Sequence, residues 1–114
     1  MKRQGERTAR ASTDLRRLRK RIDRLDRQLV QALNRRAACA VRASHVKRQR
    51  GRPIVDRQRE QQVLRRVLRA NDGPLSQRAL RSIYREILRA NRSLGLSATR
   101  HGKGGKGSRR DPTD

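Results

Sequence analysis

From Asp14 to Lys47 the chain reads DLRRLRKRIDRLDRQLVQALNRRAACAVRASHVK, a stretch with neither Gly nor Pro. Leu15, Leu18, Ile22, Leu25, Leu29, Leu33, Ala37, Ala40 and Val41 recur at spacings of mostly three and four, the pattern of a single amphipathic helix. At ~1.5 Å per residue, positions 14–47 make a rod of roughly 50 Å. A compact domain of comparable size has a radius of gyration near ~13 Å. One chain therefore has little with which to cover such a rod, and a second copy is the natural way to bury its apolar stripe. Arg36 and Lys47 lie on or beside that stripe, within about 20° of one another around the helix axis. A cation on a core-facing position is costly unless it meets a partner, which points to an anionic ligand.

The chain has 114 residues, one of them a Tyr (Tyr84), with no Phe or Trp. That is enough for one modest core, and the core must come from Leu, Ile, Val and Ala, which suits helices packed on helices. No apolar run approaches membrane-spanning length and no apolar signal segment opens the sequence, so a cytoplasmic protein without a membrane partner is expected. Cys39 cannot form an internal disulfide and reads as a small apolar filler of the long helix.

The net charge of +23 invites a nucleic-acid reading. Its distribution argues against a dedicated interface, because the cations are spread over every expected helix as well as both ends of the chain. Non-specific binding to nucleic acid at low salt is expected from such a surface. The same surface would attract small anionic substrates.

Residues 1–13 are polar, basic and without periodicity, and read as a loose arm. Thr13 or Asp14 is placed to cap the long helix. Gly51 and Pro53 predict its end near Arg50. Asp56 is placed as the cap of a second helix, whose apolar positions are Val63, Leu64, Val67 and Leu68. Glu60 shares their inward face. Asn71-Asp72-Gly73-Pro74 is a strong stop. Ser76 is placed to cap a third helix running to about Leu94, with Leu80, Ile83, Tyr84, Ile87, Leu88 and Asn91 inward and Gly95 as its stop. Residues 96–114, rich in Gly, Lys and Ser, read as a disordered tail.

An all-α chain of three helices follows, one very long, paired with a second copy. Its inward polar set is Arg36, Lys47, Glu60 and Asn91, with Asp56 and Arg59 at the start of the second helix. His45 and His101 have no ligand-spaced partners, so no metal site is expected. The tail sequence GKGGKG does not match a phosphate-binding loop. What remains is a cationic pocket with one or two carboxylates, suited to an organic polyanion that bears a hydroxyl.

These residues carry a family resemblance. LRKRIDRLDRQLVQALNRR, Lys47, GRPIVDRQREQQVL, NDGPLS and IYREIL together resemble the all-helical (type II) chorismate mutases over about residues 14–94. The resemblance implies an intertwined helical homodimer in which the long helix spans both subunits, and the rearrangement of chorismate to prephenate without a cofactor. It implies that Arg36 pairs with a substrate carboxylate in its own subunit and Arg19 with one in the neighbour's site. It further implies that Lys47 donates to the ether oxygen, that Asp56 and Glu60 hold the substrate hydroxyl, that Arg59 supports them, and that Asn91 lies near a carboxylate where the family often has Ser. One departure stands out. Gly95 occupies the position where the family usually has Gln or Glu as a second donor to the ether oxygen, which implies reduced activity. Three other readings compete: an isochorismate-pyruvate lyase on the same scaffold, a basic helical nucleic-acid-binding protein, and a non-catalytic regulatory relative, for which Gly95 is the argument. The full DRQRE segment and NDGPLS favour the mutase.

Overall fold

A computed structural model describes residues 2–102, and the chain is all-α there. The elements are α1 (Lys2–Gln49), α2 (Arg57–Arg69) and α3 (Gln77–Gly102). The chain divides into two compact units, residues 1–35 and residues from Arg36 onward.

The first unit is the leading part of α1. It starts at Lys2, not at Thr13 or Asp14, so the segment expected as a loose arm is helical. Residues 2–13 contain one Gly and no Pro, and their Arg, Ala, Gln and Lys are good helix formers. Glu6 precedes Arg10 by four positions, the favourable order for a helical ion pair. The Thr13 hydroxyl donates back to the Ala9 carbonyl at 3.0 Å, so it serves the helix interior instead of capping a start. Along this unit Leu15, Leu18, Ile22, Leu25 and Leu29 are each about half exposed, between 48% and 58%.

The second unit contains the rest of α1 with α2 and α3. The end of α1 is where Gly51 and Pro53 predict it. Gly51 adopts φ +66°. Its N–H donates to the Arg48 carbonyl at 3.1 Å, and the Arg52 N–H donates to the Lys47 carbonyl at 2.8 Å. These paired bonds form a Schellman stop, which satisfies carbonyls that a helix end would otherwise leave open. A Cβ at a left-handed position costs about 1–2 kcal/mol. Gly51→Ala should therefore lower the unfolding free energy by roughly that amount, read as a shifted denaturant midpoint at constant slope.

Asp56 is the N-cap of α2, with φ −129° and Oδ1 accepting from the Arg59 N–H at 3.0 Å. Asn71 organises the following turn. Its amide donates to the Leu75 carbonyl and the Gln77 side chain, at 2.9 and 2.7 Å, while its oxygen accepts from the Gly73 N–H at 3.2 Å. Ser76 caps α3 by accepting from the Ala79 N–H at 3.0 Å. On the exposed side of α3, Arg89 pairs with Glu86, and its hydrogen bond holds the Glu86 carboxyl below the usual carboxylate range.

The helix α3 does not stop at Leu94. It continues through Gly95 to Gly102, into the segment expected as tail; residues 103–114 lie outside the described residues. A lone Gly costs a helix about 1 kcal/mol but does not end it without a left-handed turn or a following Pro. Here the continuation has its own anchors. Thr99 is buried, its hydroxyl donates to the Gly95 and Leu96 carbonyls at 3.1 Å, and Arg48 donates to its main-chain carbonyl.

Leu88 is the buried apolar residue of this unit, at 9% exposure. With it, Ala37, Ala40 and Val41 of α1, Val63, Leu64, Val67 and Leu68 of α2, and Leu80, Tyr84 and Ile87 of α3 are half-buried. Ile83, expected inward, is 46% exposed. Such a thin core leaves apolar faces uncovered in the isolated chain.

Candidate functional site

A cavity of about 810 Å³ lies within the second unit, between the last turns of α1, the 52–56 loop, α2 and α3. That is ample room for a small organic ligand. Arg36, Lys47, Asp56, Arg59, Glu60 and Asn91, singled out in the sequence, all line it. Arg19 does not; it is an exposed residue of the first unit.

The α1 residues come first. Arg36 is half-buried, and its Nη1 donates to Asn91 Oδ1 at 2.5 Å. Guanidinium is donor-only, so the amide oxygen of Asn91 must face it. The Arg36 Cζ also lies 5.8 Å from the centroid of the Tyr84 ring, within cation–π range. Two α3 side chains thus fix the direction of this fork. Lys47, three turns later, sends Nζ to the Ile54 carbonyl at 3.2 Å. Helix and loop are thereby tied together at the mouth of the cavity, and the ammonium is held on its wall.

The loop and α2 supply the acids. Asp56 uses Oδ1 for its cap, and this fixes the carboxylate at the cavity rim. Glu60 is half-buried and accepts from Arg92 Nη1 at 2.6 Å. Arg59 is exposed and donates to Gln62 at 2.9 Å. Arg52 and Arg92 add further cations to the lining.

The sequence reading missed Arg52, Arg92 and Ser44. In a chain this rich in arginine, no spacing in the sequence marks Arg92 out from its neighbours. Cys39, read as filler, is exposed and lines the cavity. Taken together, Arg36, Lys47, Arg52, Arg59 and Arg92 outweigh Asp56 and Glu60, so the cavity favours an anion. Among the described residues, no cluster of His, Cys, Asp and Glu is arranged to hold a metal ion, and no helix is long and apolar enough to cross a membrane.

Residues 18–95 match the family model described as chorismate mutase type II. The chain belongs to the type II chorismate mutase family. It is 40% identical over 85 residues to a bifunctional chorismate mutase/prephenate dehydratase of Aquifex aeolicus (strain VF5), covering 71% of this chain and 24% of that protein. A protein of the same description from Pseudomonas aeruginosa is 37% identical over 79 residues, 65% of this chain and 22% of the relative. The chain thus spans about a quarter of the length of these curated relatives.

Within this family reading Gly95 takes on a different character. A Cβ built there would run into Ser44 Oγ and lie 3.4 Å from Ser44 Cβ. Ser44 is buried, and its hydroxyl donates to the Ala40 carbonyl at 3.0 Å. Gly95 is therefore a point of close approach between α1 and α3. Any side chain at 95 must first displace the Ser44 hydroxyl. Gly95→Gln alone should consequently destabilise the fold, by about 1–3 kcal/mol if the helices resist moving apart. Adding Ser44→Ala should recover most of that loss in thermal or denaturant unfolding.

Proposed function

We propose that this chain catalyses the rearrangement of chorismate to prephenate, and does so as a homodimer with shared sites in the cytoplasm. The observation that carries the reading is the gathering of Arg36, Lys47, Asp56, Glu60 and Asn91 around one cavity of suitable size. The names of the relatives favour the mutase over a lyase or a nucleic-acid-binding role.

The reaction is a unimolecular pericyclic shift in which a C–O bond breaks as a C–C bond forms. No proton transfer or covalent intermediate is required. The protein has to hold the substrate folded and to stabilise the negative charge that grows on the ether oxygen. Arg36, braced by Asn91 and Tyr84, is suited to grip a carboxylate with its planar fork. The Lys47 ammonium faces the ether oxygen and donates to it as the bond lengthens. Asp56 and Glu60 accept from the substrate hydroxyl, with Arg59 nearby to balance their charge. The partner subunit's Arg19 takes the second carboxylate.

Dimerisation is supported by the thin core and by the apolar stripe of α1, whose Leu18, Ile22 and Leu25 are all more than half exposed in the single chain. With no side chain at 95, Lys47 carries the ether-oxygen stabilisation without a second donor from that position. Loss of one such donor costs on the order of a hundredfold in rate, so turnover should be slow for the family. Purified protein incubated with chorismate should show loss of substrate absorbance and appearance of prephenate. A folded, helical protein that leaves chorismate unchanged would sink the proposal.

A further inference from the structure

Glu60 is held by a cation that neither the helical pattern nor the family resemblance assigns. Arg92 Nη1 lies 2.6 Å from Glu60 Oε1, and each side chain keeps only 22% of its exposure. The residues belong to different helices, Glu60 to α2 and Arg92 to α3, and both line the cavity. The other ion pair among the described residues, Glu86–Arg89, is local to α3, with side chains 63% and 60% exposed. A semi-buried interhelical pair opening on a cavity is a different object from a surface pair.

We infer that Arg92 is a positioning residue for the reaction, holding Glu60 in the orientation that grips the substrate hydroxyl. This rests on the mutase reading above. A glutamate has several rotatable bonds, and a carboxylate that must meet one hydroxyl in a folded substrate gains from being fixed before binding. Arg92 engages Oε1, which leaves Oε2 as the acceptor for the hydroxyl. The guanidinium also offsets the Glu60 charge, which would otherwise repel the substrate carboxylates. Arg92 stands one turn before Gly95 on α3. The helix that lacks a donor at 95 thus contributes a cation one turn earlier, acting through Glu60.

A double-mutant cycle on the full chain tests this, with kcat and KM for chorismate measured separately for each variant. Arg92→Gln should lower kcat/KM by about 10–100-fold, the scale on which misplacing a contacting group acts. In a Glu60→Gln background the same change should cost less than about threefold, because the group it positions is gone. Arg92→Lys keeps the charge without the planar fork and should fall between wild type and Arg92→Gln. Arg89→Gln, which removes the exposed pair, should leave both constants unchanged. Helical circular dichroism and the unfolding midpoint establish that each variant is folded. Losses that multiply across the cycle would overturn the inference, since Arg92 would then act independently of Glu60. So would an unchanged kcat/KM in Arg92→Gln, or a loss explained wholly by a smaller folded fraction. Wild type inactive on chorismate removes the mutase reading and this inference together, whereas an active wild type with a multiplicative cycle removes this inference alone.

Discussion

Lys47→Ala is expected to lower kcat on chorismate on the order of 10²–10³-fold while leaving the helical signal and oligomeric state as in wild type. The substitution removes an ammonium held on the cavity wall, 3.2 Å from the Ile54 carbonyl. Stability should change little by comparison. Lys47 is in the last turn of α1, where a cation gains a few tenths of a kcal/mol from the helix dipole. Its main-chain carbonyl, the part that closes the helix stop, is retained by alanine. The expected signature is therefore a large kinetic effect with a small shift in unfolding midpoint. Steady-state kinetics with chorismate, set beside chemical denaturation, reads both. A Lys47→Ala protein within tenfold of wild type would take Lys47 out of the mechanism.

A second large effect is expected at residues that do not line the cavity. Leu18 and Leu25 are 51% and 58% exposed in the single chain, so aspartate at both positions should not disturb an isolated helix. In a dimer that buries this stripe, the same substitutions place unpaired carboxylates against apolar side chains, which is strongly unfavourable. Under the proposed sharing of sites, Leu18→Asp combined with Leu25→Asp should yield a monomer by sedimentation and reduce turnover to background, because Arg19 would no longer reach a second subunit's site. A complementary measurement isolates the sharing of sites from dimerisation itself. Arg19→Ala and Lys47→Ala proteins should each be nearly inactive, and exchange of their subunits should restore partial activity in the heterodimer. A fully active double-aspartate monomer, or no recovery on mixing, would mean that each chain carries a self-sufficient site.

The cavity was legible in the sequence where polarity broke a helical rule. Arg36 and Lys47 interrupt the apolar face of α1, and Glu60 and Asn91 do the same on α2 and α3, so periodicity alone marked them. Asp56 was legible as a cap by its place before α2, and the resemblance separately implied it as an acid toward the substrate hydroxyl. Arg92 was not legible, because arginines flank nearly every apolar position and only the fold decides which of them turns toward Glu60. The helix ends show a similar division. Gly51, followed by Pro53, marked a true stop because a left-handed residue is needed there. Gly95 marked none, since its Gly is explained by the Ser44 contact and not by backbone conformation. Thr13 and Asp14 were misread because cap-forming residues also sit inside helices when the flanking chain is a good helix former.

The stop at the end of α1 has a consequence for how the protein would lose activity on warming. Terminal turns are ordinarily the first part of a helix to fray, and local opening of this kind precedes global unfolding in most domains. Here the turn that would fray carries Lys47, and the bonds resisting its opening include those from the Gly51 and Arg52 amides. Hydrogen exchange at these two amides should then follow the onset of thermal inactivation more closely than exchange in the middle of α2 or α3. Under the proposed role of Lys47, a chain whose helices are still formed would already be inactive once that last turn had melted.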